Sequence, residues 1–179
     1  LFRSMISGLQ CYLDSTRKDS YPGFGKTWKD ISGKGRDFNW EKIPLYADGK
    51  FISTKYTCGT AGGPTCDSFE LGNGTKGFSI VLCAKTNSLL QANTFLFKGK
   101  PNHYGIQAHI PWTDGNVYFD QGWDSPSQFS QNRVSTQVGN CSEDMYVWCF
   151  VRDYNASLKI YRNGALIVSN NPGSAVPLD

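Results

Sequence analysis

The stretch Leu158-Lys159-Ile160-Tyr161-Arg162-Asn163-Gly164-Ala165-Leu166-Ile167-Val168-Ser169 decides the fold class. Asn-Gly between two runs rich in β-branched and aromatic residues is a hairpin signal, because a type I′ turn needs positive φ at both central positions and these two residues accept it. Strands are therefore expected at residues 158–162 and 165–169. Working outward, the same combination of short apolar runs between turn residues recurs at residues 8–14, 78–85, 94–98, 104–110, 116–121 and 145–152. No window of a dozen residues carries a helical stripe. Sequential antiparallel strands at this spacing imply an all-β, two-sheet sandwich or jelly roll.

Composition agrees. The 179 residues suit one domain spanning 1–179, and 19 Gly, 9 Tyr, 11 Phe and 5 Trp describe a turn-rich aromatic β protein. The net charge of +3 is spread along the chain, with no run of Lys and Arg to meet successive phosphates, so nucleic acid is a poor partner. No segment approaches the roughly 20 apolar residues that a membrane-spanning helix needs. The chain opens at Leu1 without an initiator Met or apolar signal region and stops abruptly at Asp179, and is expected to be a mature or excised piece of something longer.

A second ribbon can be registered from Asp114-Gly115. Taken as the turn centre, this pair sets Thr113 opposite Asn116, Ile110 opposite Phe119 and His109 opposite Asp120. Ile106, Ala108, Ile110, Trp112, Val117 and Phe119 then form the core side, and Gln107, His109, Tyr118 and Asp120 the other. The period of two adds His103 and Gly105 to this second face, with Trp123 and Asp124 just beyond. Flat aromatic rings beside planar amides and carboxylates are what sugar recognition requires. The alternative is an ordinary solvent face of an amphipathic strand pair.

Six cysteines, Cys11, Cys58, Cys66, Cys83, Cys141 and Cys149, include no Cys-x-x-Cys pair. Cys58 and Cys66 bracket the flexible segment Gly59-Thr60-Ala61-Gly62-Gly63-Pro64-Thr65 and are the first choice for a disulfide, although sequence does not choose among the pairings. The sequons Asn73-Gly74-Thr75, Asn140-Cys141-Ser142 and Asn155-Ala156-Ser157 fall at turns and fit an exported surface.

Four stretches, taken in order, resemble the concanavalin A-like lectin/glucanase superfamily and, within it, the laminin-G-like jelly-roll domains. They are Gly8-Leu9-Gln10-Cys11-Tyr12-Leu13-Asp14, Thr27-Trp28-Lys29-Asp30-Ile31-Ser32-Gly33-Lys34-Gly35, Gly77-Phe78-Ser79-Ile80 and Leu158-Lys159-Ile160-Tyr161-Arg162-Asn163-Gly164-Ala165-Leu166. In the second, Asp30 and Ser32 are expected to bind backbone amides while Trp28 packs inward. No cofactor is implied, with calcium on Asp30 or Asp37 as the exception to test. The resemblance implies glycan recognition across the concave sheet, with His103, Gln107, His109, Tyr118, Asp120 and Trp123 as the sugar-facing residues. It further implies location outside the cell, on a cell surface or on a virion surface, within a larger protein. Many laminin-G-like modules bind proteins instead, so adhesion is a further alternative.

The resemblance raises two enzyme alternatives. The superfamily's glucanases carry a Glu-x-Asp-x-x-Glu strand, whereas Glu41, Glu70 and Glu143 are isolated here. Gln107-Ala108-His109 and Tyr118-Phe119-Asp120-Gln121-Gly122 are partly similar to the Gln-Ile-His and Tyr-Phe-Lys-Ala-Gly motifs of jelly-roll alginate lyases. That likeness implies β-elimination from a uronate in a cell-wall glycan, with Gln107 neutralising the carboxylate, His109 as base and Tyr118 as acid. Asp120 stands where those lyases have Lys, and their Arg-x-Glu-x-Arg segment is missing, leaving Arg133 or Arg152 to answer the charge.

Overall fold

The computed structural model describes residues 8–52, 63–67, 77–86, 94–97, 105–123, 132–141 and 144–170. It contains strands and no helix among these residues, and every strand pairing is antiparallel. Accordingly, no helix among them is long and apolar enough to cross a membrane. The chain divides into two compact units, Leu1–Glu70 and Leu71–Asp179.

The first unit pairs β1 (Thr27–Trp28) with β2 (Phe38–Asn39), and β3 (Leu45–Ala47) with β4 (Lys50–Ile52). Asn39 and Thr65 add an isolated antiparallel bridge. The β3–β4 turn is a second two-residue hairpin, Asp48 and Gly49 both having positive φ (51° and 75°). Asp30 organises the loop as its sequence implies. Oδ1 accepts the amides of Tyr12 (2.9 Å) and Ser32 (2.8 Å), and Oδ2 accepts the Ser32 hydroxyl (2.8 Å) and the Arg36 amide (3.1 Å). Trp28 packs inward on Phe51 with ring centroids 4.6 Å apart. Tyr21, Trp40 and Tyr46 surround the same ring. The buried indole N–H groups of Trp28 and Trp40 have no hydrogen-bond acceptor among the described residues.

Residues 8–14 are not the expected strand. Their alternation is real, but side chains claim their backbone before a neighbouring strand can. Tyr12 N–H goes to Asp30 and Asp14 N–H to the Ser20 hydroxyl at 3.1 Å, while the Tyr12 carbonyl accepts Ile31 N–H at 2.9 Å.

The second unit holds two four-stranded sheets. One runs β12-β11-β10-β5, where β5 is Phe78–Ala84, β10 Tyr146–Arg152, β11 Leu158–Arg162 and β12 Ala165–Ser169. The other runs β6-β7-β8-β9, where β6 is Phe95–Phe97, β7 Gly105–His109, β8 Asn116–Trp123 and β9 Asn132–Gln137. Asn163 and Gly164 both take positive φ (50° and 82°) and Arg162 pairs with Ala165, so the hairpin that opened the reading forms at the expected residues. Alternate residues of the two sheets share one core: Trp148, Phe150, Leu158 and Ile160 from one, Ile106, Ala108, Val117, Phe119 and Val134 from the other. Phe119 and Phe150 meet edge to face at 5.4 Å. Each such ring contributes about 1.5–3 kcal/mol through removal of apolar surface from water.

The β7–β8 register differs from the expected one. Gln107 pairs with Asp120, Ala108 with Phe119 and His109 with Tyr118, so β8 has slid by two residues. Both residues can be located. Gly115 N–H bonds Trp112 O at 2.9 Å and Trp112 N–H bonds Asn116 O at 2.8 Å, which closes a three-residue loop in which Gly115 (φ 79°), but not Asp114, has positive φ. The other extra residue lies between His109 and Trp112, where Pro111 has no N–H to give the ladder. A slide of two preserves faces, so the four expected polar residues remain together. Trp112 does not follow: the single extra residue before it moves it from the expected core side to the His109 side, where the rings lie 4.4 Å apart.

Candidate functional site

β7, β8 and β9 present Gln107, His109, Tyr118, Asp120 and Arg133 on the face away from the core, and the β7–β8 loop adds Trp112 and Asp114. Except for Asp120, which lies beneath, these residues line a depression of about 360 Å³. The solvent-face alternative fails at its centre, since Gln107 and His109 are each 6% exposed and Asp120 2%. Burial on both faces is true of every β7 residue.

Asp120 is the anchor. Its Oδ1 accepts Arg133 Nε at 2.6 Å, and its Oδ2 accepts Arg133 Nη2 at 2.8 Å and Gln107 Nε2 at 3.1 Å. Such fork-on-carboxylate pairing is the strong form of a charged hydrogen bond. It holds the Arg133 guanidinium more firmly protonated than usual, the hydrogen bonding it donates to Asp120 being the main cause. The guanidinium also lies over the Tyr118 ring, 4.7 Å from its centroid.

At the rim, Tyr118 Oη donates to Asp114 Oδ2 at 2.5 Å, and Asn116 N–H donates to Asp114 Oδ1 at 2.9 Å. The Tyr118 hydrogen bond, followed by the Asn116 amide, holds the Asp114 carboxyl below its ordinary range. Reciprocally, that bond and then burial push the Tyr118 phenol up. Asp114 is thus an exposed, ionised acceptor, and Trp112 is a half-buried ring beside it.

Of the residues expected from sequence, Gln107, His109, Tyr118 and Asp120 come together. His103 and Cys58 lie outside the described residues, as does the Trp123 side chain, although the Trp123 backbone pairs with Gly105. Among the described residues no two cysteines stand at disulfide distance. Asp30 and Asp37, the calcium candidates, accept donors from the protein itself, Asp37 taking the Asp30 amide at 2.9 Å. Sequence reasoning missed Trp112 and Asp114 as site residues, and named Arg133 only as one of two cations, with Arg152, to answer the charge of a uronate. Pro111 just before an Asp-Gly turn was the available signal for the bulge that turns Trp112 round.

Comparison of the chain with protein-family profiles, with curated proteins and with solved structures gives no match.

Proposed function

We propose that this protein recognises glycans, with the sugar seated in the depression formed by Gln107, His109, Trp112, Asp114, Tyr118 and Arg133. On this reading the two facing sheets form a jelly roll of the concanavalin A-like, laminin-G-like kind, displayed outside a cell, on its surface or on a virion. The observation that carries it is the grouping of Trp112 and Tyr118 with fixed planar polar groups in one concavity. An aromatic ring stacks on sugar C–H groups, and oriented carboxylates and amides take paired hydroxyls. The test is retention of the purified protein on immobilised polysaccharides. Wild type is expected to be retained and Trp112→Ala to lose about ten-fold or more in affinity, while silence across all glycans together with capture of a surface protein would favour the adhesion alternative instead.

The lyase reading has one observation in its favour: Gln107, His109 and Tyr118 line the same depression. Its chemistry fits poorly. Gln107 directs its amide at Asp120, Arg133 is neutralised by the same carboxylate, and Tyr118 gives its hydrogen bond to Asp114. New unsaturated ends absorbing in the ultraviolet, formed from an acidic polysaccharide and lost in His109→Ala, would restore it.

A further inference from the structure

Granted the glycan-binding reading, on which this inference rests, we infer that the depression selects uncharged sugars and rejects uronates and sulfated sugars, with the Asp114 carboxylate receiving ligand hydroxyls. Among the described residues lining it, Arg133 is the cation an acidic group would seek. Both its Nε and Nη2 are committed to Asp120, which is 2% exposed. Drawing Arg133 onto a ligand carboxylate would strip a buried anion of its partner, a costly exchange. The face of the guanidinium is also taken, by the Tyr118 ring.

The remaining charge points the same way. Asp114 and Asp120 against Arg133 leave one net negative charge among these three groups, and of the two carboxylates it is Asp114 that stands exposed at the rim, Asp120 being buried. A carboxylate only accepts hydrogen bonds, and two of the sites on Asp114 are used by Asn116 and Tyr118. Those left need donors from the ligand. Adjacent hydroxyls of a neutral hexose supply them, while an acidic sugar brings like charge to the same rim. Trp112, half-buried, provides the apolar face that such a ring needs next to those acceptors.

Titration calorimetry at neutral pH with three sets of hexasaccharides of different charge tests this: neutral gluco- and manno-oligomers, oligouronates, and oligoglucosamines. A neutral set is expected to bind, the oligouronates about ten-fold more weakly or worse. Asp114→Asn sits on an exposed loop position and leaves the sheets intact. It should weaken the neutral ligand and narrow the gap to the acidic one. Binding of oligouronate that equals or exceeds the neutral sugar, and that disappears in Trp112→Ala, overturns the selectivity while leaving glycan binding standing. Heat from none of the three sets overturns both.

Discussion

Arg133 on β9 grips Asp120 on β8 through two hydrogen bonds, of 2.6 and 2.8 Å, directly across the strand pair where their backbones are in register. The carboxylate is buried and the guanidinium about one-third exposed (3% and 36% side-chain exposure), so water reaches only one partner. Removing Arg133 therefore costs more than removing an ordinary surface ion pair. Arg133→Ala should destabilise the protein by about 1–3 kcal/mol, a value reduced from the fully buried case for solvent screening. The double variant Asp120→Asn, Arg133→Gln should recover most of it, because no uncompensated charge remains. Urea unfolding of the three proteins measures both effects, and equal losses in the single and double variants would contradict the explanation.

Asp30 supports the first unit by accepting four donors from Tyr12, Ser32 and Arg36. Burial acts to raise its carboxyl, but the Tyr12 amide and the other donors outweigh burial, and the net direction is down. The folded state therefore holds this proton less tightly than the unfolded chain, so the stabilisation is present above the ordinary carboxylate range and fades as pH falls through the lowered value. Asp30→Ala is expected to cost about 2–4 kcal/mol at neutral pH and much less in acid, where the wild type has already lost the contribution. Thermal unfolding of both proteins across the acid range reads the convergence.

The Cys11 thiol behaves in the opposite sense. Burial first, then the charge of Asp30 and the neighbouring Cys66, push it from the ordinary 9.0 up to about 12. The folded protein holds this proton more tightly, so the contribution is whole below pH 9 and is lost as pH rises toward 12. Cys11→Ala should flatten that alkaline decline. Because the thiolate is the nucleophile, iodoacetamide at mildly alkaline pH should also modify exposed Cys83 well before Cys11, as peptide mass spectrometry would show. Equal rates in the native protein would contradict the shift.

Gly115 holds the loop that presents Trp112 and Asp114. Its φ is +79°, and a Cβ there would stand 2.5 Å from Gln137 Nε2, whose amide bonds the Asp114 carbonyl. Gly115→Ala should cost about 1–3 kcal/mol and lower glycan affinity as the loop shifts. Retention of full affinity with the stability loss would show that the loop geometry does not matter to binding.

How far the sequence could be read depended on which backbone groups had a single available partner. Asn163-Gly164 leaves only one compact turn, so β11 and β12 were legible to the residue. Asp114-Gly115 looked equivalent, but Asp114 keeps negative φ and Pro111 withholds an N–H, two local events that no alternation pattern reveals. β9 was missed because its buried side includes Asn132 as well as Val134. Asn132 satisfies its burial with distant partners, the Ala156 carbonyl and the Asn170 amide, so its polarity argued against a strand that exists. With β9 unseen, Arg133 could not be set beside Asp120, and the site appeared as a set of carboxamide, imidazole and phenol groups without its ion pair. Gly8-Leu9-Gln10-Cys11-Tyr12-Leu13-Asp14 failed in the other direction, since a proper strand alternation was captured by loop side chains.

The connection between β7 and β8 also sets a counting rule for change. Its two surplus residues cancel as far as the faces of the ribbon are concerned, so an insertion or deletion of two would slide the strands and keep Gln107 and His109 over the depression. One residue more or fewer, if β8 held its place, would turn β7 inside out, driving imidazole and carboxamide into the layer now filled by Ile106 and Ala108. Length variation in this segment is thus quantised: even steps re-pair the strands with the polar face intact, and odd steps turn that face inward at the expense of what β7 gives the core.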